Sequence, residues 1–146
     1  MAIKTGNSMR VYITDKMSGS TYTWLAGEQN SSLNLSADMI DVSDKSTEWK
    51  QYLPAMKGGT IDVTVFADDG TSGPQHKLLT SLFKGTKVYV FVGVLTGTSS
   101  QTPSEGDMCE AYVTSISNTY DNNGVASRSI SLQITGAVTH YPTITA

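Results

Sequence analysis

Apolar and polar residues alternate along most of this chain, and a period of two marks strands that place one face against a core. Met9, Val11 and Ile13 alternate with Arg10, Tyr12 and Thr14. After a turn at Ser18-Gly19 the chain returns with Tyr22, Trp24 and Ala26 on one face, so the first pair reads as a hairpin. Leu33 and Leu35 keep strand spacing within 31–36, and Ile61, Val63 and Val65 oppose Thr60, Asp62 and Thr64 over 60–67. A long strand is predicted over 107–120, followed by the turn Asp121-Asn122-Asn123-Gly124, whose Asn-Gly suits the positive φ of tight hairpins. Over 127–135, Arg128, Ile130, Leu132 and Ile134 share one face, and Ser129, Ser131, Gln133 and Thr135 the other. That second face is polar but uncharged, which suits solvent or the wall of a water-filled channel.

Three stretches break the alternation. Residues 87–95 (KVYVFVGVL) are almost continuously apolar, as in a central strand buried on both faces. The face with Tyr89 and Phe91 then packs under a helix, the preferred reading, or against another subunit. One helix is predicted over Pro74–Lys84. Gly73 or Ser72 caps it, Pro74 sits at its first position, and Gly85 closes it in the left-handed conformation. Leu78, Leu79, Leu82 and Phe83 form its apolar stripe, leaving Gln75, His76, Lys77, Thr80 and Lys84 to face outward. The third is the charged arm 41–58, which begins after Met39 and Ile40, carries Trp49, Tyr52 and Leu53, and closes at Pro54 and Gly58-Gly59. Large apolar side chains on so polar a segment need a surface to dock on.

The fold class expected is mainly β: two sheets in a sandwich or partly closed barrel, one flanking helix and the long arm. The 146 residues suit a single domain over 1–146, with 1–8 a flexible N-terminal segment and polar loops at 68–73 and 96–106.

Charged residues make up only 16% and the formal net charge is −3. No basic footprint for gripping nucleic acid is present, and a mildly negative wall would let DNA slide past. Cys109 is the one cysteine, which excludes an internal disulfide framework and reads as a buried small hydrophobe. His76 and His140 are the only histidines, too few for a His-based metal site or triad. Asp68 and Asp69 read as turn residues, and Asp38, Asp41 and Asp44 lack the EF-hand spacing. Glu105 and Asp107 flank a glycine and read as solvated strand-end residues. No phosphate-cradling loop or nucleophile elbow occurs, so no catalytic, cofactor or metal residues are assigned and an enzyme is not expected. Residues 1–10 carry no apolar run and no stretch reaches membrane-spanning length, so synthesis in a cytoplasm without membrane insertion is expected.

The ordered set LAGEQNSSLNLSAD, IDVSDKSTEW, YLP and GGTIDVTV, then a short helix, a hairpin and a strand ending in Thr135-Gly136-Ala137, resembles the major tail (tail-tube) protein family of long-tailed, non-contractile bacteriophages. The resemblance covers nearly the whole chain. It implies a structural virion protein whose six copies close into rings, with sheets joined into an inner barrel, stacked as a hollow tube for DNA ejection. The implied partners are further copies of itself and the tape-measure, tail-tip and tail-terminator proteins, with DNA passing without sequence-specific binding. It also implies assembly in the host bacterial cytoplasm and residence in the virion tail. The inter-subunit contact set expected is Trp49, Tyr52 and Leu53 on the arm, with Asp41 and Ser43 at its start; folding back onto the chain's own sheet is the alternative for Trp49 and Tyr52. The segment 1–8 is a second candidate contact. Two rivals are a monomeric carbohydrate-binding or adhesin-like β-sandwich, with Trp24 and Trp49 as a sugar platform, and the tube of a contractile injection system.

Overall fold

The alternating segments become strands of a single rolled sheet. The computed structural model describes residues 6, 9–14, 22–25, 27–46, 48–67, 73–96 and 102–142. These form β1 (Arg10–Thr14), β2 (Tyr22–Trp24), β3 (Glu28–Asp41), β4 (Tyr52–Phe66), α1 (Pro74–Lys84), β5 (Val88–Thr96), β6 (Thr102–Thr119) and β7 (Ser127–Tyr141). The strands pair antiparallel in the order β2-β1-β5-β6-β7-β4-β3.

A mainly β fold with one helix is what the pattern predicted, but the two separate sheets are replaced by one continuous sheet. β6 and β7 are the reason. They run 18 and 15 residues, and each serves both halves of the molecule. β5 pairs with β6 only as far as Ala111, while β4 pairs with β7 only between Ser127 and Gln133. One half is therefore β2-β1-β5-β6-β7 and the other β6-β7-β4-β3, with the long strands passing through the bend.

The rims of this sheet must approach each other. β2 and β3 lie at opposite edges, which six strand spacings would hold about 29 Å apart if flat. Residues 25–27 alone join them, and four Cα steps span at most about 14 Å. The sheet rolls to meet that constraint. Leu25 N–H donates to the Val11 carbonyl at 3.0 Å, and a carboxylate oxygen of Glu28 accepts from Val11 N–H at 3.0 Å and from the Trp24 indole at 3.3 Å;. Among the described residues no ladder joins the two rims, so the rolled sheet stays open at that seam.

The concave face holds the core, where Val11 and Ile13 of β1 meet Ile61, Val63 and Val65 of β4, with Val90, Cys109, Leu132 and Leu78 of α1 between them. Helix and boundaries match the prediction: Gly73 is the N-cap, Pro74 follows, and Gly85 ends it at φ 69°. Its rotation does not. Gln75, expected outside, is buried, and its amide donates to the Phe66 carbonyl at 2.9 Å while its carbonyl oxygen accepts from Arg128 at 3.0 Å. Phe83, expected on the sheet, is 81% exposed. Gln75, Leu78, Ser81 and Leu82 share the inward side at spacings of three and four.

β5 is buried on both faces, as predicted, but α1 covers the Val88, Val90 and Val92 side. Phe91 lies opposite, under Tyr12, Tyr22 and Tyr141, with ring centroids 5.9–6.2 Å away. Within β5 and β6, Gly93 faces Gly106 (φ 138°) so closely that a Cβ on Gly93 would lie 2.0 Å from the Glu105 carbonyl. The strands of the predicted loop 96–106 extend into it from both sides, and 97–101 lie outside the described residues, as do the predicted turn at Ser18-Gly19 and most of 1–8 and 68–73. The 121–124 turn forms with Gly124 N–H bonded to the Asp121 carbonyl at 3.4 Å, yet neither Asn123 nor Gly124 takes positive φ. Seven residues, 120–126, separate β6 from β7, so no two-residue turn is required. No described helix is long and apolar enough to cross a membrane.

Candidate assembly surfaces

The arm is a β-hairpin. β4 joins β7 only from Thr60 onward, so the β4 residues before it have β3 as their single partner, and the pair projects from the body. Pro54 and Gly58-Gly59, expected to close the arm, lie within β4 instead. Pro54 is tolerated because one edge of β4 is unpaired there, so its missing N–H breaks no ladder. The arm accordingly starts within β3, near Ala37, and not at Asp41.

Opposed residues share a face and successive residues alternate. Ile40 opposes Leu53, whereas Met39 opposes Pro54 and Asp41 opposes Tyr52. One side of the hairpin therefore presents Ile40 and Leu53 and the other Met39 and Tyr52, with Met56 in the bulge where the register shifts between Ala37 and Met39. All five are exposed, as is Val42, and Trp49 near the tip and Met56 are each 83% accessible. Trp49 and Tyr52 do not fold back onto the sheet. The tip is held by its own polar groups. Asp41 Oδ1 accepts from Ser43 N–H at 2.9 Å, Ser43 Oγ accepts from Gln51 N–H at 2.6 Å, and Val42 N–H donates to the Gln51 carbonyl at 2.9 Å. The Ser43 backbone bond, then that residue's hydroxyl, holds the Asp41 carboxyl below its usual pKa. Trp49, Tyr52 and Leu53 thus ride on a rod whose neck Asp41 and Ser43 fasten.

Among the described residues, two long backbone edges are open. β3 pairs with β4 alone, and β6 beyond Ala111 pairs with β7 alone. The half β6-β7-β4-β3 is therefore a four-stranded sheet with a free edge on each side. Its convex face is polar: Asn30 opposes Thr64, Ser32 opposes Asp62, and Asn34 opposes Thr60, with Ser129, Ser131 and Gln133 on β7 beside them. Asp62 is the one charge in that central field, and Ser131 Oγ donates to it at 2.7 Å. Gln133 Nε2 donates to the Gly59 carbonyl at 2.9 Å. The β7 part of this wall was legible from sequence; the β3 part was signalled by Asn30, Ser32 and Asn34 at alternate positions.

Near the hairpin base the concave face opens into an apolar groove of about 520 Å³ between Leu35, Ala37, Ile134 and Val138, with Lys57 at one wall. Trp24, a candidate sugar platform, is engaged by Glu28 and stacked by the Arg10 guanidinium at 4.6 Å. Cys109 is fully buried, and burial, helped by Asp107, pushes its thiol up to about 12. Among the described residues no three His, Cys, Asp or Glu side chains gather as a metal site.

The fold is shared with several assembled particles. A chain in the tail of an empty gene transfer agent particle, refined with C6 symmetry, superposes with a TM-score of 0.75 at 18% identity, over 94% of this chain and 98% of that one. The SPP1 tail tube gives 0.65 at 16% identity over 90% and 76%. The sheath-tube complex of PVC, an extracellular contractile injection system, gives 0.64 at 14% over 93% and 90%. No curated protein sequence matches the chain. The family model for phage tail tube proteins matches residues 3–140. This chain therefore belongs to the phage tail tube protein family, a structural and non-enzymatic component of the tails of phage-like particles.

Proposed function

We propose that six copies of this chain close head to tail into a ring, and that rings stack into a hollow tube through which DNA leaves the particle. The observation that carries this reading is the half-sheet β6-β7-β4-β3, with a free edge on either side and one polar, nearly uncharged face. Strand direction alternates across it, so the β3 edge of one copy meets the β6 edge of the next in antiparallel sense. Such pairing leaves no open edge in a closed ring. Each copy contributes four strands to the inner wall, and the Asn/Ser/Thr face turns to the lumen.

The hairpin reaches from its own ring to the next, with Trp49, Tyr52 and Leu53 as anchors. Apolar side chains on both of its sides fit a rod clamped between two other copies better than one lying on a single surface. Tape-measure, tail-tip and terminator proteins act on this tube from inside and at its ends. A non-contractile tail is favoured by the sequence resemblance of the 38–67 segment. The comparable likeness to the PVC tube supports a contractile system as the second reading, and a sheath lattice around tubes in native particles would assign it.

The test is negative-stain electron microscopy with light scattering across a concentration series, run for the wild type and for Trp49→Ala. Sixfold rings and tubes with a stain-filled channel are expected, and Trp49→Ala should leave rings but shorten or abolish tubes. Wild-type protein that stays monomeric at every concentration, even beside its tail-tip proteins, refutes the tube. Tubes of Trp49→Ala that match the wild type refute the hairpin's role.

A further inference from the structure

We infer that Phe83 of α1 is the knob that fills the Leu35–Ile134 groove of the adjacent copy in the ring, an assignment that rests on the proposed β3-to-β6 closure. Among the described residues Phe83 is the most exposed large apolar side chain outside the hairpin, and it stands on a helix. Its height along the sheet can be read from the registers. The N-terminal turn of α1 is tied to Phe66 and Arg128, at one end of the half-sheet. The C-terminal turn ends at Gly85, three residues before Val88, which opposes Ala111. Ala111 opposes Ile134, a Cβ on Gly59 would lie 3.1 Å from Ile134, and Gly59 opposes Leu35. Phe83 and the groove thus occupy the same row.

They also lie on the same face. Leu78 anchors α1 on the concave side, where Leu33, Ile134 and Val138 pack. When β3 of one copy pairs with β6 of the next, the incoming α1 is carried along that side, directly beside the groove. Charge agrees with this placement. β3 carries Glu28, Asp38 and Asp41 and no basic residue, and the formally charged residues of α1 are Lys77 and Lys84, although Lys57 of β4 adds a like charge at the groove wall. Opposite charges at the rim of an apolar contact orient the approach and fix the register.

The test combines Phe83→Asp with the double variant Leu35→Cys/Phe83→Cys, both on the full chain. An 81% exposed side chain leaves the monomer fold unaffected, so far-UV circular dichroism of Phe83→Asp should overlay the wild type. Ring and tube formation should then need at least roughly tenfold more protein, the loss expected of a buried aromatic anchor. On oxidation the double variant should give a disulfide ladder up to hexamer, absent from either single variant, while the buried Cys109 stays silent. Phe83→Asp tubes at the wild-type concentration, or double-variant rings without a ladder, overturn the assignment and leave the ring intact. A wild type that forms no rings removes the closure itself, and Phe83 falls with it.

Discussion

Cys109 sits opposite Val90 in the middle of the sheet with no accessible surface, and its chemistry follows from that position. Burial, and then the neighbouring Asp107, lifts its pKa from 9.0 to about 12. Because the folded value lies above the unfolded one, the neutral thiol contributes stability that is complete below pH 9.0 and is lost as pH rises toward about 12. Burial, followed by Tyr141, also raises Tyr22, so it acts in the same alkaline direction. The contribution of Cys109 is therefore best read by difference. The wild-type Tm should fall more steeply between pH 9 and pH 11 than that of Cys109→Ala; parallel slopes refute the linkage. The folded wild type should also resist iodoacetamide at pH 8, since the thiolate is the reactive form.

Among the elements, α1 shows how far a pattern can be read. Its span, its proline start and its glycine stop were legible, because each rests on residues local to the helix. Its rotation was not. Four apolar residues, Leu78, Leu79, Leu82 and Phe83, allow more than one inward face, and the choice is made by Gln75, which bonds Phe66 and Arg128, while Arg128 Nε reaches Asn118 at 2.8 Å. Those partners lie far apart in sequence. Gln75→Ala should thus destabilise the fold by about 1–3 kcal/mol, since the Phe66 carbonyl and Arg128 both lose a partner, whereas His76→Ala should change it by less than about 0.5 kcal/mol. Equal denaturation midpoints for the two variants would return Gln75 to the surface. The hairpin was hidden for a related reason. Its apolar residues face both ways, so the period-2 code that marks a half-buried strand fails, and Pro54 and Gly58-Gly59 look like breakers although an unpaired edge accommodates them. The bend and the single sheet depend on β6 and β7 each serving two halves, a long-range property that alternation does not encode.

For the whole molecule, the placement of charge distinguishes the two sides of the sheet. Among the described residues, the central convex field of β3, β4 and β7 carries Asp62 alone as a charge, and Ser131 bonds to it. In a sixfold ring every substitution on that face is repeated six times. Under the proposed ring, a wall of Asn, Ser and Thr would hydrate readily and give DNA phosphates no cation to settle against, so binding would not slow passage. Ser129→Lys should reverse this. Ser129 is exposed and opposes Thr64, so the change leaves the core and both free edges untouched, and tubes should still form. Six ammonium groups per ring would then face the channel. Purified Ser129→Lys tubes should retain a short fluorescent duplex at low salt and release it steeply as salt rises, while wild-type tubes retain none. If Ser129→Lys tubes form but bind no more duplex than the wild type, the polar face of β3, β4 and β7 does not line the channel.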